Sequence, residues 1–204
     1  ELIGVDLTNE NEDILLSTSN GKCLRFPVSS LRLFTGLNSG GVRGIKLDGN
    51  NFVISVSVLH HSFIDMSIRK EYLKYASANR KKISNNKRHD FVQLDNNEEF
   101  LLSVTTKGYG KRSSAYEYRI SNRGGKGITG ILTTAKNGKV IDCFVVKDKD
   151  QLILVSDKGQ IIRVNINQIR IAGRTTQGVS IFKIPKADEI VSVSRIVELI
   201  TNEK

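Results

Sequence analysis

The chemistry open to this chain is contact with phosphate. Ser121-Asn122-Arg123-Gly124-Gly125-Lys126-Gly127 sets glycines between cations. A loop of that kind lets backbone amides approach an anion closely while arginine and lysine supply charge. It is not a Walker loop, because Gly125-Lys126 runs into Gly127 where that motif needs serine or threonine. A second pattern is periodic. The turn glycines Gly21, Gly108 and Gly159 are each followed by an arginine four residues on (Arg25, Arg112, Arg163) and another eleven residues on (Arg32, Arg119, Arg170). A turn explains a repeating glycine; it does not call for repeating arginines. Arg43, Lys46, Lys111 and Arg174 complete the candidate phosphate-binding set.

Other chemistry finds little footing. His60 and His61 are adjacent and His89 lies in a polar stretch, so no metal-ligand spacing exists. Cys23 and Cys143 sit in apolar runs without a CxxC pairing, as small buried side chains do in a reducing compartment. No catalytic residue, metal site or cofactor is expected in this chain.

The cations are carried on a unit of about fifty residues written three times, which implies stacked or radially arranged supersecondary units. Each copy has an apolar run, a turn closed by glycine, and an outgoing strand, the pattern of a β-hairpin. Strands are also expected over 2–7, 52–59, 140–146 and 190–197, and further ones over 44–47, 127–132 and 178–182. In the third copy Ile162, Val164 and Ile166 alternate with Arg163, Asn165 and Asn167, which puts the first arginine of the pattern on the side away from the core. The first copy agrees, with Leu24, Phe26 and Val28 flanking Arg25; the second is weaker, with Lys111, Ser113 and Ala115 at the core-side positions. About four antiparallel strands per unit and no long helical pattern predict an all-β, propeller-like array of blades. The blades are expected at 1–51, 52–139 and 140–189, with a final strand and tail over 190–204. Residues 60–97 interrupt the second unit with eight lysines and arginines against four acids. This insertion reads as a basic helix over 66–82 and a polar loop over 84–90, peripheral, partly disordered and dispensable to the blades.

The chain has 204 residues, 39% hydrophobic and 25% charged, with a formal charge of +10. That excess favours a polyanionic partner, most directly nucleic acid. No apolar run reaches the ~20 residues of a membrane span and no signal peptide opens the chain. The first residue is Glu1 and a strand-like run follows at once, as in a piece of a longer protein.

Several of these motifs are shared with a known family. Arg123-Gly124-Gly125-Lys126-Gly127 resembles the basic glycine-rich box of the C-terminal domain of the bacterial DNA gyrase A subunit. Residues 1–8, 41–47 and 171–179 are similar to that domain too, as is Gly108-Tyr109-Gly110-Lys111-Arg112. The match spans the chain outside the insertion. It implies a six-bladed β-pinwheel that wraps duplex DNA around a basic rim without reading sequence, of which this chain holds the last half. It further implies a parent assembly of two A and two B subunits in the bacterial cytoplasm, at the nucleoid. There ATP, magnesium and the DNA-cleaving tyrosine belong to other domains, and Tyr109, Tyr116 and Tyr118 lack that tyrosine's context. The family's functional box lies in the first blade and begins with glutamine and two arginines. The loop here begins Ser121-Asn122 and sits in a late blade, so the box's essential role is not carried over to it. The equivalent domain of topoisomerase IV, a propeller used for protein contacts and an enzyme with a channel site are the alternatives. The DNA-binding set is Arg25, Arg32, Arg43, Lys46, Lys111, Arg112, Arg119, Arg123, Lys126, Arg163, Arg170 and Arg174. Three blades cannot close a six-bladed disc, so an open crescent or an edge-paired dimer is expected. Exchange of Arg25, Arg112 and Arg163 for glutamine is expected to weaken DNA binding and spare folding.

Overall fold

The computed structural model describes residues 1–36, 38–80, 88–185 and 187–197. Three hairpins form where alternating apolar strands flank a turn glycine. They are β1 (Glu12–Thr18) with β2 (Lys22–Pro27), then β4 (Phe100–Thr105) with β5 (Tyr109–Ser114), then β8 (Gln151–Ser156) with β9 (Ile161–Asn165). On the inner side of each hairpin lies the strand that follows it in sequence: β3 (Val53–His60), β7 (Val140–Val146) and β11 (Ile190–Ile196). The strands expected to open the second and third units therefore close the sheets before them. β7 packs against both β3 and β11, so the three inner strands converge.

The outer strands are exchanged. β6 (Ile128–Thr129), which follows the second hairpin, pairs with β2 of the first sheet. β10 (Val179–Ser180), which follows the third, pairs with β5 of the second. The sheet orders are thus β3-β1-β2-β6, β7-β4-β5-β10 and β11-β8-β9. Each blade is completed by the unit after it. The third sheet has three strands, and among the described residues β9 carries nothing on its outer edge.

That rule corrects two expectations. Residues 2–7 form no strand, and Val5 and Leu7 are 81% and 94% exposed. They hold the place that β3, β7 and β11 hold after a hairpin, and no hairpin precedes them among the described residues. Residues 44–47 likewise form no strand, although their equivalents β6 and β10 do. They lie against the glycine loop instead, where the Lys46 amide donates to the Gly125 carbonyl at 2.8 Å.

The core is a stack of layers between sheets. Leu15, Cys23, Leu59, Leu101, Tyr118 and Cys143 fill the space between the first and second sheets. Leu102, Val104, Val146, Leu152, Leu154 and Ile190 fill the next. Neighbours Leu101 and Leu102 point to opposite layers, as the strand period of two requires. Both faces of the second sheet are therefore covered, and every residue of β5 after Tyr109 is buried.

The insertion folds as α1 (Met66–Asn79) and α2 (Val92–Asn96), joined through a 3-10 turn at His89–Phe91. The expected helix is present but ends at Asn79, and α2 adds a second one that the sequence pattern does not mark. The predicted loop falls largely on residues 81–87, outside the described residues. Asp65 caps α1, its carboxylate accepting from the Ser67 amide at 2.7 Å. Tyr72 and Ala76 then bury against Phe91 and against Tyr116 at the end of the second hairpin. The segment is peripheral, yet it has its own apolar seat on the blade.

Candidate nucleic-acid interface

The periodic arginines divide into two classes. The first of each pair is expected away from the core; in two of three blades it is buried instead. Arg25 is 3% exposed. Its Nε donates to Asp13 at 2.7 Å, one terminal nitrogen to the Ala115 carbonyl at 2.9 Å and the other to the His60 carbonyl at 2.7 Å. Asp13 is itself fully buried and also takes Nδ1 of His61 at 2.7 Å. One blade on, Arg112 is 6% exposed. It donates to the carbonyls of Ile169 (2.8 Å) and Asn167 (3.3 Å) and pairs with Asp148. Each clamps its sheet to the 3-10 turn of the next unit, at Ala115–Glu117 or Ile166–Gln168. Parallel bridges Arg25 to Ile120 and Arg112 to Ile171 mark the same junction. Arg163 clamps no further unit among the described residues: it is exposed and reaches Gln151 on its own hairpin. Position away from one core layer is position toward another when blades stack, so Arg25 and Arg112 are withdrawn from the DNA-facing set.

Lys111 is withdrawn for the same reason. It stands where the other units have Leu24 and Ile162, and it is fully buried. Its ammonium donates to the carbonyls of Gly173 and Arg174, both at 2.6 Å, and to the Thr176 hydroxyl at 3.3 Å. Burial pulls its pKa down to about 8, against the opposing pull of Glu117. The lysine holds the loop that carries Arg174.

The second arginines and the loop cations face water. Arg32, Arg119 and Arg170 are exposed, as are Arg43, Lys46, Arg123 and Lys126. Arg32 is stacked over Phe34 at 4.7 Å. Arg174 is half-buried, with its guanidinium on the Thr129 carbonyl at 2.8 Å and its amide on Glu117 at 2.8 Å.

Five of the exposed cations come together. The Gly124 amide donates to the Gly44 carbonyl, and Arg123 reaches the Arg43 carbonyl at 3.3 Å. The glycine loop is thereby laid along residues 43–46, which sets Arg43 and Lys46 beside Arg123 and Lys126. Arg119 and Lys126 line one hollow of about 230 Å³ with Ser121 and Asn122. Asp48 is the acid of this neighbourhood: Lys22 binds it at 2.7 Å, and Lys22, then Lys126 and Lys46, hold its carboxyl below the usual range. Lys22 joins this group without a signal in the sequence. It has no counterpart in the other units, where Tyr109 and Gln160 follow the turn glycine, so a search by repetition could not find it.

Blades built of a hairpin, an inner strand from the same unit and an outer strand from the next define a β-propeller-like class. The family model for the DNA gyrase C-terminal domain, a β-propeller, matches at residues 12–60, 99–147 and 150–196, and the chain belongs to that family. Its matched segments leave out the insertion. Among relatives, the DNA gyrase A subunit of Granulibacter bethesdensis is 40% identical over 223 residues, covering 97% of this chain and 24% of that protein. The same protein of Rickettsia typhi is 41% identical over 210 residues (97% and 23%), and that of Escherichia coli 31% over 203 residues (100% and 19%). The chain thus spans about a quarter or less of these relatives. Of solved structures, the C-terminal domain of DNA topoisomerase IV superposes with TM-score 0.70 at 19% identity, covering 95% of this chain and 49% of that one. The E. coli ParC C-terminal domain gives 0.59 at 15% (93% and 64%). Both likenesses concern the fold.

Proposed function

We propose that this chain binds duplex DNA by its phosphates, independently of sequence, as the DNA-wrapping part of a gyrase A subunit. The observation that carries this reading is the exposed group Arg43, Lys46, Arg119, Arg123 and Lys126, gathered by two glycine loops beside Asp48. Bending a duplex costs up to about 10 kcal/mol over a 20–30 bp site, and spaced cations offset that through phosphate contacts and counterion release. Arg32 on the first unit and Arg163 and Arg170 on the third, all exposed, extend the set. In this reading the chain works in the bacterial cytoplasm, at the nucleoid, within an assembly of two A and two B subunits. It supplies the wrap that negative supercoiling uses, while ATP hydrolysis and strand cleavage lie in other domains. The topoisomerase IV alternative is less favoured, because the relatives at 40% identity carry the gyrase A name.

The test is titration of a mixed-sequence duplex at several salt concentrations. Arg119→Gln with Lys126→Gln should make the slope of log K against log salt shallower by about 1.8, at about 0.9 per contact. The loss should be alike for unrelated sequences. An unchanged slope in the folded double variant would overturn the rim as the DNA surface.

A further inference from the structure

The hollow lined by Arg119 and Lys126 recurs one blade on, where the insertion changes it. There Arg112 is the floor and residues 169–173 one wall, as Arg25 and residues 119–127 are in the first. The second hollow measures about 800 Å³ against about 230 Å³. The difference is α1, which supplies an opposite wall through Leu73, Lys74, Ser77 and Ala78. A shallow notch has become a groove with two sides.

Charge in this groove is unevenly paired. Arg112 is paired with Asp148, Arg80 with Glu98, and the Glu117 carboxylate takes the Arg174 amide. Lys74 on the helix and Arg170 on the facing lip are exposed and make no ion pair among the described residues. Lys70, also exposed, precedes Lys74 by four residues, a rise of about 6 Å along the helix. Lys74 and Arg170 line the groove on its two sides and Lys70 lies one helical turn beyond its lining, so the free cations are spread out instead of converging on one point, which suits an extended polyanion better than a small anion. Between them Leu73, Ile171 and Ala172, each partly exposed, offer apolar surface of the kind a deoxyribose can lie against. The wall is fixed in place, since Tyr72 and Ala76 are buried beneath it.

We infer that α1 and residues 169–173 form a groove that takes the sugar-phosphate backbone of duplex DNA, so that the insertion adds phosphate contacts which the repeats alone do not provide. This rests on the rim reading above, and its test is chosen to fail separately. Lys70→Gln with Lys74→Gln, made in the whole chain, alters neither the repeats nor the buried clamps. With a mixed-sequence duplex the salt slope should become shallower by about 1.8, so that the unaltered chain's advantage narrows about tenfold between 50 and 200 mM salt. Circular dichroism should match that of the unaltered chain. An unchanged slope, alongside a reduced one in the Arg119→Gln, Lys126→Gln variant, would overturn the groove and keep the rim. Failure of the unaltered chain to bind the duplex would overturn both.

Discussion

Three arginines at one sequence position have two fates, and the difference can be measured. Removing Arg25 would leave Asp13 buried beside His61 and take the donors from two carbonyls. Breaking a buried pair in this way costs about 3–5 kcal/mol. Arg25→Gln should therefore lower the urea midpoint sharply; Arg112→Gln, whose partner Asp148 is exposed, should lower it less, by about 1–3 kcal/mol for the Ile169 and Asn167 carbonyls left without donors, and Arg163→Gln should change stability by less than about 0.5 kcal/mol. Equal effects in all three would refute the clamp. Lys111 has a pH dependence of its own. Its pKa is about 8 in the fold and near 10.4 unfolded, so between those values the unfolded chain binds more protons and stability rises with pH. Relative to Lys111→Met, the unaltered chain should gain on the order of 2 kcal/mol from about pH 7.5 to about pH 10 in denaturant titrations. A gap that stayed flat would mean a lysine with an ordinary pKa. The spacing of these residues was legible in the sequence, but their burial was not. A period of two tells which face a side chain takes, and in stacked blades both faces are interior.

At the level of elements the hairpins were legible because they are local: an apolar run, a glycine and a second run fall within about fifteen residues. The exchanged strands β6 and β10 were legible as segments, but nothing local names a partner in the preceding blade. The glycines show how close that exchange brings the chain. A Cβ on Gly21 or Gly108 would overlap the carbonyl of Ile131 or Phe182 from the next unit, while Gly159 has open space around it among the described residues. The insertion helix was legible from its composition; its apolar seat was not. Tyr72 donates to Glu98 at 2.8 Å and packs edge-on to Phe91 and Tyr116 at 5.6 Å each. Tyr72→Ala should remove about 3–5 kcal/mol of packing, more than a helix of 14 residues can spare. Hydrogen exchange should then show α1 open and β4 and β5 still protected. Loss of protection in the strands as well would make the insertion part of the blade's core.

On the scale of the molecule, the family and its pinwheel were readable from motifs in their right order, the glycine loops at 41–47, 123–127 and 171–179 among them. The sequence could not show which cations gather, because the Arg43–Lys46 and Arg119–Lys126 segments are brought side by side by the fold. The exchange of outer strands also has a consequence for synthesis. β2 ends at Pro27, and the strand that covers its edge begins at Ile128. At about 5–20 residues per second the ribosome leaves that edge bare for roughly 5–20 s, with the insertion lengthening the wait. The apolar segments at 2–7 and 44–47, still without strand partners, leave the tunnel before that edge is covered. A nascent chain of this design is exposed to mispairing with its neighbours on a polysome, and each new unit ends the exposure of the one before it.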